Sequence, residues 1–161
     1  MLSDMAARGT KLRIGDEAPD FVLPAAGGDN FALRSLRGRK VVLFFYPMDE
    51  SPGCTIQACG FRDHYDEFVA SGAEVVGINS GRVASHERFA DHHLLPYPVL
   101  SDPGNRVRSL YGAFKGPIPG RVTYLVDENG VVRDTFSSIF RPLEHIRRAR
   151  EWVRPETTRS E

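Results

Sequence analysis

The residues most able to do chemistry are Cys54 and Cys59, the only two cysteines in the sequence. Cys54 follows the run Tyr46-Pro47-Met48-Asp49-Glu50-Ser51-Pro52-Gly53, in which two prolines and a glycine interrupt regular structure. A helix beginning near Cys54 puts the sulfur where free backbone N–H groups and the positive end of the helix dipole lie. Both favour a thiolate over a thiol, and the thiolate is the reactive form. Ser51, three residues earlier, can offer a hydroxyl to the sulfur or to a bound substrate. Pro47 and Pro52 stiffen the loop and shield the sulfur from bulk water. This is a setting for a nucleophile. The alternative, a buried cysteine under a helix start, fits poorly with a loop between two prolines.

Cys59 falls on the same predicted helix. Over five residues an ideal helix turns by about 140° and advances about 7.5 Å, which separates the two Cα atoms by roughly 8.6 Å. A disulfide needs about 4.4–6.8 Å. If the two cysteines pair, the first turns of the helix must therefore unwind. Gly53 and Gly60, poor helix formers, lower the cost of that opening. The other reading makes Cys59 a small core residue, and the spacing alone leaves both open.

The elements that position these residues follow from patterning. Residues 41–46, Val-Val-Leu-Phe-Phe-Tyr, form a continuous apolar run of strand length, as expected of a strand buried on both faces. Phe21-Val-Leu and Phe31-Ala-Leu flank a glycine-rich turn and predict a hairpin. A helix is predicted over residues 54–70, with Phe61, Tyr65, Phe68 and Val69 on its apolar face. A second inner strand covers 74–79, and a helix covers 84–93. Residues 97–100 predict an edge strand, because Pro98 cannot donate to a ladder. Asp102-Pro103 starts a helix that stops at Gly112. Residues 121–127 and 131–136 predict two strands joined by a Glu128-Asn129-Gly130 turn. Pro142 opens a last helix with Leu143, Ile146, Ala149, Trp152 and Val153 inward. Alternating strands and helices imply an α/β fold with a parallel or mixed sheet and helices on both faces.

The chain has 161 residues, with 21 Lys+Arg balanced by 21 Asp+Glu, 41% hydrophobic and 26% charged residues. That composition fits one soluble domain over residues 1–161, with mobile tails at 1–10 and 155–161. Zero net charge argues against a nucleic-acid partner, and no apolar run reaches membrane-spanning length. The basic run Arg147-Arg-Ala-Arg150 reads as a solvated helix face. The N-terminal MLSDMAARGTKLRIGDEAPDF lacks an apolar signal core, so a cytoplasmic location is expected.

The run FFYPMDESPGCTIQACGFRD resembles the peroxiredoxin active-site motif P-x-x-x-T/S-x-x-C, with Pro47, Ser51 and Cys54 at the motif positions. A second cysteine five residues further on resembles the PrxQ subfamily, also called bacterioferritin comigratory protein. GDEAPDFVLP, SHERFADHHLLPYPVLSD and GRVTYLVDENGVVR resemble the same subfamily, and the likeness covers about residues 14 to 153. It implies a thioredoxin-like fold with a central mixed β-sheet. It also implies a thiol peroxidase that reduces hydrogen peroxide and organic hydroperoxides through a Cys54 sulfenic acid and an intramolecular Cys54–Cys59 disulfide. The implied partners are the peroxide substrate and thioredoxin or another dithiol protein. The implied state is a monomer with no metal or organic cofactor. The family's arginine matches Arg121, whose guanidinium would stabilise a thiolate and the charge developing on peroxide oxygen. Ser51 stands where threonine is commoner, the loop 79–82 lacks the frequent aspartate, and 114–120 is short and proline-rich.

Three other readings compete. A thioredoxin-like disulfide oxidoreductase would carry C-x-x-C, and this chain has C-x4-C. A redox sensor or holdase would change oligomeric state or client binding on oxidation without turning over peroxide. A metal module could draw on His86, His92 and His93, although adjacent His92 and His93 should point to different helix faces.

Overall fold

The structure, a computed structural model, describes residues 12–155. The expected tails lie outside the described residues, apart from Pro155. A short hairpin of β1 (Val22–Pro24) and β2 (Asn30–Ala32) precedes the central strand β3 (Lys40–Phe45). Helices α1 (Pro52–Asp63) and α2 (Tyr65–Ala70) lead to β4 (Ala73–Asn79), α3 (Val83–His93) and β5 (Val99–Ser101). Next come α4 (Arg106–Tyr111) and a small hairpin of β6 (Phe114–Lys115) and β7 (Ile118–Pro119). Strands β8 (Val122–Val126) and β9 (Val132–Ser137) and helix α5 (Pro142–Val153) are the last elements among the described residues.

Five strands form one mixed sheet in the order β5-β4-β3-β8-β9. β3 pairs parallel with β4 and antiparallel with β8, which makes it the middle strand and explains its unbroken apolar run. Its side chains alternate between two cores. Val42 and Phe44 face Phe61, Phe68, Phe89, Ile146 and Ala149, drawn from α1, α2, α3 and α5. Val41, Leu43 and Phe45 face Val107 and Tyr111 of α4 and the N-terminal residues Phe21, Leu23, Leu33 and Leu36. Both faces carry helices as expected, but unequally. β5 lies at an edge, as Pro98 implied. Among the described residues, no helix is long and apolar enough to cross a membrane.

Several expectations need correction. The helix predicted over 54–70 is two helices, broken at His64 (φ −112°, ψ 14°), whose C-terminal turn points Val69 outward. Leu143, predicted inward, is 61% exposed, because it lies in the first turn of α5 ahead of the stripe Ile146, Ala149 and Val153. Asp102 stands as N-cap of a helical segment that opens at Pro103, but this is a short 3-10 turn, Pro103–Asn105, to which the Asp102 side chain makes no capping bond. Gly104 takes a positive φ there, and the Asp102 carboxylate instead accepts the amides of Val107 and Arg108, capping α4 from farther back. The stretch 114–120 forms the β6–β7 hairpin, which its prolines hid from pattern reading.

Candidate active site

The site lies at the carboxyl end of β3, where ligands of open α/β sheets bind. β3 ends at Phe45, the chain turns out through Tyr46 and Pro47, and α1 begins at Pro52 with Ser51 as N-cap. Because β8 runs antiparallel to β3 with Val122 opposite Phe45, the start of β8 lies beside the end of β3. Arg121 is thereby delivered to the loop that carries Cys54, although the two lie far apart in sequence.

Cys54 is 1% exposed and packs with Tyr46, Ala58 and Phe61. It is buried under a helix start after all, and a guanidinium faces it. Arg121, itself 4% exposed, directs Nη1 to Cys54 Sγ at 3.5 Å and to Gln57 Oε1 at 2.8 Å. Its Nε donates to the carbonyl of Ile139 at 3.1 Å. Gly53 is required by this approach, since a Cβ there would stand 2.8 Å from Arg121 Nη2. Gly60 also lies close to α5: a Cβ there would stand 3.0 Å from the Ile146 side chain, which would have to give by a few tenths of an ångström.

Among the expected site residues, the structure brings Cys54 and Arg121 together and leaves the others around them. Ser51 is half-buried, and its hydroxyl donates to the Met48 carbonyl at 3.2 Å rather than to the sulfur. Pro47 forms the half-buried exit from β3. Cys59 lies further along the same unbroken helix, half-buried, and both cysteines are free thiols. Burial pushes the Cys59 thiol above its ordinary pKa. Arg62 pulls it back, and the charges of Asp63 and Glu50 push it up again.

Pattern reading missed two residues. Gln57 is fully buried and accepts from Arg121, while its Nε2 has no partner among the described groups. A lone glutamine in a helix carries no sequence signal, although its place three residues after Cys54 put it on the same helix face. Arg108 is 1% exposed and binds backbone from three directions. Nη2 donates to Tyr46 O at 2.8 Å, and Nη1 donates to Gly120 O at 2.7 Å and to Ala113 O at 3.0 Å. It thus fastens the residue before Pro47 to the residue before Arg121. Burial lowers its pKa to about 10, so it remains a cation at neutral pH.

Two side chains tie the loop to α3. Asp49 accepts from Tyr46 Oη (2.7 Å), Ser85 Oγ (2.6 Å) and His86 Nδ1 (2.6 Å). Burial pushes the Asp49 carboxyl up, but these bonds outweigh it and hold the pKa below its ordinary value. His86 is therefore separate from His92 and His93, which meet Glu50 instead. Beneath Arg121, His145 Nε2 donates to Ser138 O at 3.0 Å, and Nδ1 accepts from Thr123 Oγ1 at 2.8 Å. Burial is the main reason its pKa falls to about 4. The Ser138 bond opposes the fall, and the charges of Arg121 and Arg148 add to it.

A cysteine at a helix start, faced by an arginine from the antiparallel neighbour strand, defines a cysteine-centred site on a thioredoxin-like α/β scaffold. The profile of the AhpC/TSA family matches residues 14–135. The chloroplastic peroxiredoxin Q of Arabidopsis thaliana is 47% identical over 139 residues, covering 84% of this chain and 64% of the relative. That of Sedum lineare is 45% identical and is covered over 75% of its length. The crystal structure of peroxidoxin BcpB from Mycobacterium tuberculosis superposes with a TM-score of 0.84 at 35% identity, covering 92% of this chain and 99% of that one. The chain belongs to the AhpC/TSA family, on its peroxiredoxin Q branch. It spans about 64% of the length of several of the plant relatives it matches. The expected cytoplasmic location is overturned by these plant relatives, which are named chloroplastic. An apolar core marks only a secretory leader, so its absence does not fix a location.

Proposed function

We propose that this chain is a thiol peroxidase whose peroxidatic residue is Cys54. The observation that carries the reading is the 3.5 Å approach of Arg121 Nη1 to Cys54 Sγ in a buried site. The thiolate attacks the terminal oxygen of a peroxide, the O–O bond breaks, and the departing alkoxide or hydroxide takes up a proton and leaves as alcohol or water. Sulfur is oxidised to a sulfenic acid and the peroxide is reduced. Arg121 stabilises both the attacking sulfur and the charge that builds on oxygen, and the Gly53 and Cys54 amides lie before the first helical bond, Thr55 N to Ser51 O. Ser51 and Pro47 shape the entrance.

The first turns of α1 then open, and Cys59 attacks the sulfenic sulfur. An S–S bond forms, the S–O bond breaks, and water leaves. A dithiol protein such as thioredoxin reduces the disulfide by exchange. The related Xanthomonas campestris bacterioferritin comigratory protein, 25% identical with a TM-score of 0.77, is described by its alkyl peroxide reduction activity, which supports organic hydroperoxides as substrates beside hydrogen peroxide. The active unit in this reading is a monomer. Stopped-flow peroxide consumption tests it. Cys54→Ser should abolish turnover, and Cys59→Ser should allow one oxidation per chain without efficient thioredoxin-driven cycling. Undiminished consumption by Cys54→Ser overturns the proposal.

A further inference from the structure

Glu50, in the active-site loop, and the last two residues of α3, His92 and His93, converge on one point. Glu50 has φ +64°, in the left-handed region that side chains rarely adopt. From there its carboxylate receives an N–H from His92 Nδ1 at 3.0 Å and another from His93 Nε2 at 2.8 Å. Adjacent helical residues ordinarily project about 100° apart, and the sequence alone argued for two separate faces. Here the two rings tilt together, with centroids 4.2 Å apart. His93 is well held. Its side chain is 15% exposed, its ring meets the edge of Phe89 at 5.2 Å, and its carbonyl accepts from Arg62 Nη1 at 2.7 Å. One ligand atom from each of the three residues lies within 4.8 Å of the others.

We propose that Glu50, His92 and His93 form a binding site for a divalent cation of the zinc class, and that the bound ion staples the active-site loop to α3. Two imidazoles and a carboxylate are donors that zinc takes, at about 2.0–2.2 Å, with a fourth position left for water. A tetrahedral set at that distance separates its donor atoms by roughly 3.3–3.6 Å. The two Glu50 contacts therefore have to lengthen by several tenths of an ångström, and the remaining separation, within 4.8 Å, has to settle into the same range. Each ring nitrogen now donating to Glu50 gives up its hydrogen, which moves to the other ring nitrogen or to solvent. A hard, oxygen-seeking cation such as magnesium fits the two imidazoles poorly.

The consequence for turnover rests on the peroxidase reading. Closing the Cys54–Cys59 bond requires the loop and the first turn of α1 to leave their places. An ion joining Glu50 to α3 opposes that departure, so it slows resolution of the sulfenic acid and acts as a brake on the cycle.

The test uses the full chain carrying Cys54→Ser and Cys59→Ser, so that thiols cannot bind the ion. Titration with Zn2+ alone, followed by calorimetry, should show one ion per chain. Glu50→Gln, His92→Gln and His93→Gln, each added to that background, should weaken binding by about tenfold or more. Absence of binding, or binding that none of the three substitutions changes, overturns the site. Hydrogen exchange over residues 50–57 should slow when Zn2+ is added, and the slowing should vanish with His93→Gln. Equal exchange with and without Zn2+ overturns the staple. Neither readout involves peroxide, so failure here is separable from failure of the peroxidase reading.

Discussion

Arg121 Nη1 lies between Cys54 Sγ at 3.5 Å and Gln57 Oε1 at 2.8 Å, so one NH2 group of the guanidinium serves both the sulfur and its neighbour on the helix. The guanidinium is almost fully withdrawn from water, where its field is weakly screened. Arg121→Gln should slow oxidation of Cys54 by about a hundredfold, the usual loss for one buried donor to a developing oxyanion. Single-turnover kinetics of sulfenic acid formation check this, and a rate within a few-fold of wild type would remove Arg121 from the chemistry.

On the peroxidase reading, Gln57 acts through Arg121, from which its Oε1 accepts, rather than on the peroxide. Gln57→Leu keeps the volume but removes the acceptor, and should slow the same step by about tenfold, or about 1.4 kcal/mol. Gln57→Glu retains an oxygen for Nη1 and should recover most of the rate. Loss of rate in both variants would point to packing alone.

Arg108 joins Tyr46 O to Gly120 O, the carbonyls just before Pro47 and Arg121. Arg108→Met removes this donor from both buried carbonyls, while Ala113 O keeps the Gly120 amide. It should cost about 3 kcal/mol or more of stability, measured by urea denaturation. Slower Cys54 oxidation should accompany it, because both limbs of the site lose their shared anchor.

The Cys54–Cys59 bond cannot form across an intact α1. Oxidation with one equivalent of peroxide should remove about one to two turns of helical signal in circular dichroism. Dithiothreitol should restore it, and Cys59→Ser should show no change. Unchanged helicity in a chain whose mass confirms the disulfide would refute the unwinding step.

His145 supplies a pH dependence. Its pKa is about 4 in the folded protein and 6.5 when unfolded, so between these values the unfolded state binds the additional proton. The stabilisation is therefore complete above about pH 6.5 and is lost as pH falls toward 4, amounting to on the order of 3 kcal/mol. Urea denaturation of wild type and His145→Gln should show the stability gap narrowing across that window. A constant gap would mean the buried imidazole does not titrate there.

The chain pattern exposed the parts of this molecule that repeat or break patterns. The apolar run at 41–46 announced the central strand, and Pro47, Ser51 and Cys54 marked the site loop through their spacing. Arg121 came only from family resemblance, because one arginine among many has no local signature and only the β3–β8 register brings it to Cys54. Gln57 and Arg108 were illegible for a related reason: their partners are groups remote in sequence, and polar residues within helices read as solvated. The break at His64 was hidden because histidine is no helix breaker, and the change of direction follows from packing Phe61 and Phe68 against one sheet face. His92 and His93 were separated by ideal helix geometry, and a carboxylate from another element drew them together.

Arg108 grips main-chain oxygens and not side chains at positions 46, 113 and 120. Such acceptors belong to the main chain, so the joint does not read the side chains there, although close backbone neighbours crowd any side chain at position 120. One buried cation thus sets the course of both the loop that carries the cysteine and the strand that carries the arginine.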